Sequence, residues 1–105
     1  MIFRRSRWAE LISRQLDLFV REHADAIEEA RERLDLYPRA DRDEAEELYG
    51  DYVDAVETGT ELLADIRDHF ARTLGDDDTA AQYEREFNAA VSKRLSPFAL
   101  EIENR

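Results

Sequence analysis

Apolar side chains recur every three or four residues from Trp8 to Leu95, and two short segments interrupt the pattern. The first is 37–40, which contains Pro38, and the second is 75–78, which begins with Gly75. A repeat of three to four residues places the apolar side chains on one face of an α-helix. The pattern therefore predicts an all-α fold, an antiparallel helical bundle of two long helices and one shorter helix.

The first predicted helix spans residues 6–36, with Ser6 as its N-cap. Its apolar stripe is formed by ten residues: Trp8, Ile12, Leu16, Phe19, Val20, His23, Ala26, Ile27, Ala30 and Leu34. Pro38 ends this helix because proline lacks an N–H and moves the preceding residue away from helical angles.

The second predicted helix spans residues 41–74, with Asp41 or Asp43 as its N-cap and Gly75 as a left-handed residue beyond its end. Gly59 lies inside this helix. Thr58–Glu61 resembles a capping box, but the apolar stripe keeps its phase across Gly59, which favours one continuous helix. In an antiparallel hairpin that turns near Pro38, Gly59 lies opposite Leu18 and Phe19, where the missing side chain leaves room for the ring.

The third predicted helix spans residues 78–95, and aspartates of the run 76–78 cap its start. Ser96 and Pro97 are a favourable pair for starting another helix, so a short helical tail is expected over 97–103. With 105 residues, the chain is long enough for a single domain, 1–105.

The three helices differ in length, and this predicts an incompletely covered end. At 1.5 Å per residue the first two are about 45–50 Å long and the third about 27 Å, so the third covers only half of the hairpin. The uncovered half presents a candidate interface of Ile27, Leu34, Tyr37, Leu48, Tyr49 and Val53. Either the tail over 96–105 covers this end or a second copy of the chain does. Pairing two such ends would complete a four-helix bundle, which predicts a homodimer.

The composition narrows the function without identifying it. A net charge of −11 opposes binding to nucleic acids or anionic membranes, although Arg4, Arg5 and Arg7 form one basic cluster. The absence of cysteine excludes disulfides and thiolate sites and fits a cytoplasmic protein. No known catalytic motif is found, and the acidic residues of the two long helices lie off the apolar stripes. We therefore predict no enzyme activity, no metal and no cofactor.

His23 is the most unusual residue because it lies within the apolar stripe of the first helix. The plainest interpretation is a buried neutral imidazole that is hydrogen-bonded to Tyr52 or to a backbone carbonyl. The sequence predicts a noncatalytic interaction module that acts through self-association or a protein partner. The alternative is a small-molecule-binding bundle with a pocket near His23, Tyr52, Gly59 and Phe19.

Overall fold

The computed structural model describes residues 7–36 and 41–98, apart from the side chains of Arg33, Leu34 and Pro97. These ranges form helices and turns and contain no β-strand, which confirms the all-α class. The elements are α1 (Ala9–Glu22), α2 (Ala24–Leu36), α3 (Arg42–Ala71), α4 (Asp77–Arg94) and a 3-10 turn (Ser96–Phe98). The predicted cap Ser6 lies outside the described residues.

The predicted single helix over residues 6–36 is wrong, because the helix is interrupted at His23. His23 has φ −122° and ψ 30°, away from helical values, although its N–H still donates to the Phe19 carbonyl oxygen at 2.9 Å. The two halves pack on different elements, since α1 lies against α4 whereas α2 lies against α3. The interruption at His23 allows α1 to pack on α4 and α2 to pack on α3.

The helix α3 runs without a break through Gly59, as predicted. Asp41 is its N-cap, and its carboxylate accepts the Glu44 N–H at 2.9 Å. The helix ends at Ala71, three residues before the predicted Leu74.

The expectation of a left-handed Gly75 is wrong, because no described glycine has a positive φ. The chain leaves α3 through a tightened last turn instead. The N–H of Thr73 donates to the Phe70 carbonyl at 2.9 Å, and the N–H of Leu74 donates to the Ala71 carbonyl at 3.1 Å. These i to i+3 bonds satisfy the terminal carbonyls, so no left-handed residue is needed.

The helix α4 starts one residue earlier than predicted, with Asp76 as its N-cap. The Asp76 carboxylate accepts hydrogen bonds from the Thr79 N–H at 2.9 Å and the Thr79 hydroxyl at 2.7 Å. The hydroxyl bond is the main cause that lowers the pKa of Asp76. Beyond α4 the predicted tail begins as the 3-10 turn, and residues 99–103 of that prediction lie outside the described residues.

The core lies where α1, the second half of α3, α4 and the 3-10 turn meet; these elements are called the body. Its fully buried large side chains include Leu16, Phe19, Leu63, Tyr83, Phe87, Val91 and Phe98. At one end Trp8, Phe70 and Tyr83 form an aromatic cluster with ring centroids 4.8–5.8 Å apart. Residues 24–58, which include α2 and the first half of α3, are called the arm.

Two of the polar contacts that hold α4 in the body involve buried side chains, Tyr83 and Arg67. The Tyr83 hydroxyl donates to Gln15 Oε1 at 2.8 Å, and burial raises the pKa of Tyr83 to about 12. The guanidinium of Arg67, only 7% exposed, donates to Asn88 Oδ1 at 3.0 Å and to Asp68 Oδ1 at 2.9 Å. A buried charge needs such partners, so Arg67 links α3 to α4 as a structural residue. The sequence analysis did not single out Arg67.

Candidate interaction surface

One line of side chains along α3 changes from buried to exposed as it leaves the body. Leu63, Val56 and Tyr49 are seven residues apart, about two helical turns, so they lie on the same face. Leu63 is 0% exposed and Val56 is 6% exposed, but Tyr49 is 56% exposed. Along this line the side chains are therefore buried as far as Val56 and become exposed at Tyr49, while α2 packs against α3 beside them.

The 3-10 turn that follows α4 packs against the middle of α3. Phe98 of this turn is 1% exposed and lies against Gly59, one turn of α3 beyond Val56. A Cβ atom added at Gly59 would lie 2.4 Å from Phe98 Cε1, so only glycine leaves room for this ring. Phe98 also meets Phe19 edge to face, with ring centroids 6.3 Å apart. Among the described residues, burial continues past Phe98 to Val56, which belongs to the same core cluster as Ile27 of α2.

Several neighbours of Tyr49 are apolar and incompletely buried. Within the arm, Leu48, Tyr52 and Val53 are each half-buried and lie within an arc of about 140° that includes Tyr49. These four residues are called the arm face. Leu36 of α2 adds a further exposed apolar side chain, at 42%.

The other predicted interface residues divide into two groups. Ile27 is 5% exposed and already contributes to the core cluster, so it is not part of an open surface. The side chain of Leu34 and all of Tyr37 lie outside the described part of the chain. Leu48, Tyr49 and Val53 of the prediction lie on one side of α3 together with Tyr52, which packs against the core cluster.

The arm carries most of the net charge of the protein. Residues 24–58 contain thirteen Asp and Glu against four Arg, a net charge of −9. The rest of the chain contains thirteen Asp and Glu against eleven Lys and Arg, a net charge of −2. All thirteen acidic side chains of the arm are exposed. Sequence reasoning missed this asymmetry because it considered the charge of the whole chain, although a segment count shows it.

The residues of the predicted small-molecule pocket are arranged differently from the expectation. His23 is half-buried, and its ring lies against that of Phe19 with centroids 5.0 Å apart. Between described residues no hydrogen bond joins His23 to Tyr52. The space beside Gly59 holds the ring of Phe98, so a ligand there would have to displace this ring.

A separate groove lies between α1 and α4 and was not predicted. It has a volume of about 630 Å³, and small residues such as Ala9, Ser13, Ala89 and Ala90 line it. Glu86 also lines this groove, and its Oε2 atom is buried without a hydrogen-bond partner among the described residues. The groove is open to solvent along the outside of the body, on elements that do not contribute to the arm face.

No described group of three or more His, Cys, Asp or Glu side chains is arranged to hold a metal ion. Within the described ranges, no helix combines the length and apolar character needed to cross a bilayer. The sequence matches no protein-family model, and no curated protein or solved structure shows significant similarity to it.

Proposed function

We propose that the protein is a noncatalytic helical interaction module whose arm face docks a protein segment. The observation that carries this proposal is the exposure of Tyr49 at 56% on the same line as Val56 at 6% and Leu63 at 0%. A helix face that forms a core in one half and meets solvent in the other is suited to complete its packing with another helix.

The proposal includes two kinds of partner for the arm face. A second copy of the chain would supply two more helices and complete an antiparallel four-helix arrangement, the predicted homodimer. A different protein would supply one helix along the same face. The cytoplasmic location is part of the proposal in both cases.

The proposal is tested by comparing two exposed apolar residues, one on the arm and one on the body. Tyr49 is 56% exposed on the arm, and Leu18 is 51% exposed on the body, so Tyr49→Ser and Leu18→Ser are matched changes. Sedimentation across the micromolar range measures self-association. A photo-crosslinking residue at position 49 or 18, used in the native cells, reports contacts with other proteins.

We expect either a dimer that Tyr49→Ser weakens about tenfold and Leu18→Ser leaves intact, or a defined protein adduct at position 49 and not at 18. The tenfold value corresponds to one well-packed aromatic contact in an interface. A monomer that forms no adduct specific to position 49 would contradict the proposal.

The alternative function, a small-molecule site near His23, Tyr52, Gly59 and Phe19, stays a prediction. It requires the ring of Phe98 to leave the position beside Gly59, where it is 1% exposed. Since removing a buried phenylalanine from a core costs about 3–5 kcal/mol, a ligand would have to supply that free energy on binding. The arm face needs no such rearrangement.

A further inference from the structure

We propose that the groove between α1 and α4 binds a short apolar peptide of about three residues through its two free termini. The terminal ammonium lies beside Glu86 at one end of the groove, and the terminal carboxylate lies beside Lys93 at the other. The site belongs to the body, so this inference goes beyond the proposed function and does not depend on the arm face.

The groove arises because α1 and α4 run side by side in the same direction. Trp8, before the start of α1, meets Tyr83 of α4 with ring centroids 5.7 Å apart. Farther along, Asp17 of α1 pairs with Arg94 at the end of α4 at 2.7 Å. The residues that line the groove recur mostly every three or four positions on each helix, so one face of α1 and one face of α4 form its walls.

The floor of the groove is apolar and its rim is accessible. Ile12 and Leu16 lie at the bottom and are buried, whereas Ser13, Ala89 and Ser92 are exposed at the rim. The volume of about 630 Å³ is within the usual range for sites that bind small molecules. Apolar side chains of a ligand would pack on the floor, and the two serine hydroxyls can donate to or accept from its peptide groups.

Glu86 supplies a negative charge at one end that the described residues do not fully compensate. Its side chain is half-buried, and its Oε2 atom is buried without a hydrogen-bond partner among those residues. A buried carboxylate oxygen is normally hydrogen-bonded, because an unpaired one is unfavourable. The terminal torsion of glutamate is soft, so a small rotation turns this oxygen toward the groove. An ammonium group there would make a charge-assisted hydrogen bond with Glu86.

Lys93 supplies the opposite charge at the other end. Two cations line this end, and one of them, Arg94, is already engaged by the carboxylate of Asp17 and by the carbonyl oxygen of Ser13 at 3.3 Å. Lys93 is exposed, and no ion pair joins it to another residue in the described part of the chain. Its ammonium group is therefore available to a carboxylate of a ligand.

The distance between the two charges sets the length of the ligand. Glu86 and Lys93 are seven residues apart, about two helical turns, so they share a face of α4 and lie about 10 Å apart along its axis. An extended peptide spans about 3.3–3.6 Å per residue, so three residues cover roughly this distance. A zwitterion of that length with apolar side chains complements the groove in charge, length and polarity.

The inference is tested with trivaline that has free termini. Three control peptides each change one feature: acetylation of the N-terminus removes the positive charge, amidation of the C-terminus removes the negative charge, and divaline is too short to reach both ends. NMR titration of the full chain, labelled with nitrogen-15, measures each affinity and shows which backbone amide signals shift.

Two variants remove the charges of the groove one at a time, and each has a matched control. Glu86→Gln is compared with Glu84→Gln, because Glu84 lies about 160° round α4 from Glu86. Lys93→Gln is compared with Arg14→Gln, because Arg14 is exposed on α1 and does not line the groove.

We expect trivaline to bind about tenfold more tightly than its acetylated form and about threefold more tightly than its amide, since Glu86 is half-buried and Lys93 is exposed. Divaline should bind at least threefold more weakly than trivaline. The signals of residues 9–16 and 86–94 should shift most. Each affinity ratio is compared within one variant, so a general change in stability does not affect it.

The variants should abolish these preferences separately. Glu86→Gln should reduce the preference over the acetylated peptide to less than twofold and keep the preference over the amide, and Lys93→Gln should do the reverse. Both control variants should keep both ratios within twofold of those of the unchanged protein.

Several results would overturn the inference. Equal affinities of free and acetylated trivaline, or a preference that persists in Glu86→Gln, would exclude the ammonium contact. A preference over the amide that persists in Lys93→Gln would exclude the assigned carboxylate position. Signal shifts outside the groove, or no binding at millimolar peptide, would exclude the site. The arm face is tested apart from this site, since Tyr49→Ser should leave the affinity for trivaline unchanged.

Discussion

Gly59 and Gly50 lie in the same helix but differ in what lies beside them. A Cβ atom at Gly59 would be 2.4 Å from Phe98 Cε1 and 2.9 Å from Phe98 Cζ, whereas nothing lies within 4 Å of a Cβ at Gly50. Glycine costs about 1 kcal/mol relative to alanine inside a helix. At Gly59 this cost is offset by a buried aromatic ring, and at Gly50 no packing offsets it.

We predict that Gly59→Ala lowers the free energy of unfolding by about 1–2 kcal/mol, because displacement of the Phe98 ring outweighs the gain in helix propensity. The matched change Gly50→Ala should raise it by up to about 1 kcal/mol. Urea denaturation followed by circular dichroism measures both. In a Phe98→Ala background, Gly59→Ala should no longer destabilise, and a persistent loss there would show that Phe98 is not the cause.

Tyr83 makes the stability of the fold sensitive to alkaline pH. Its pKa is about 12 in the folded protein, raised chiefly by burial, against about 10 in an unfolded chain. The folded state therefore favours the neutral phenol. The contribution of Tyr83 to the free energy of unfolding is complete below pH 10 and is lost as the pH rises from 10 to 12.

We predict a loss of roughly 1 kcal/mol between pH 9 and pH 11 that is attributable to Tyr83. Urea midpoints across this range measure the loss. The variant Tyr83→Phe has no phenol to ionise, so its stability should fall less over the same interval, although it starts lower without the bond to Gln15. Parallel curves for the two proteins would exclude this role of Tyr83.

At the residue scale, the sequence indicated that Gly59 admits a ring but not which ring. The hairpin register placed Phe19 opposite Gly59, whereas the ring in contact is that of Phe98. Phe19 lies behind Phe98, with their centroids 6.3 Å apart. A register argument compares only two helices, and Phe98 reaches Gly59 from a turn after a third, a long-range contact that periodicity does not encode.

At the scale of elements, the sequence predicted the helix type throughout the described residues but missed the interruption at His23. The apolar stripe keeps its phase from Phe19 to Ile27, so periodicity gave no sign of a break. The break follows from tertiary packing, since α1 lies against α4 and α2 against α3. The caps were easier to predict, because Asp41 and Asp76 precede their helices directly and satisfy local N–H groups.

At the scale of the whole molecule, the exposed Tyr49 lies in the segment that carries most of the net charge. The helix lengths predicted that the third helix would cover only half of the hairpin, and Tyr49 in the other half is 56% exposed. Periodicity did not indicate that residues 24–58 also carry most of the acidity, a net charge of −9. Periodicity does not identify what binds the arm face, because the apolar residues of a helix have the same spacing whichever protein packs on them.

We predict that this charge makes the fold more stable in salt. Added NaCl screens repulsion among the thirteen exposed carboxylates of the arm, so the Tm should rise between 0.05 and 1 M NaCl. The double variant Glu46→Gln/Glu57→Gln should show a smaller rise, because part of the repulsion is already removed. Differential scanning calorimetry measures both, and an equal or larger rise in the variant would contradict the prediction.

The contact between Phe98 and Gly59 also has a kinetic consequence. It joins residues 39 positions apart in the chain, whereas the hydrogen bonds within each helix join residues three or four apart. Non-local contacts carry the larger loop-closure cost and generally form after local ones on the way to the native state. We therefore expect that loosening this ring accelerates unfolding more than it slows folding, which stopped-flow measurement of Phe98→Ala would show.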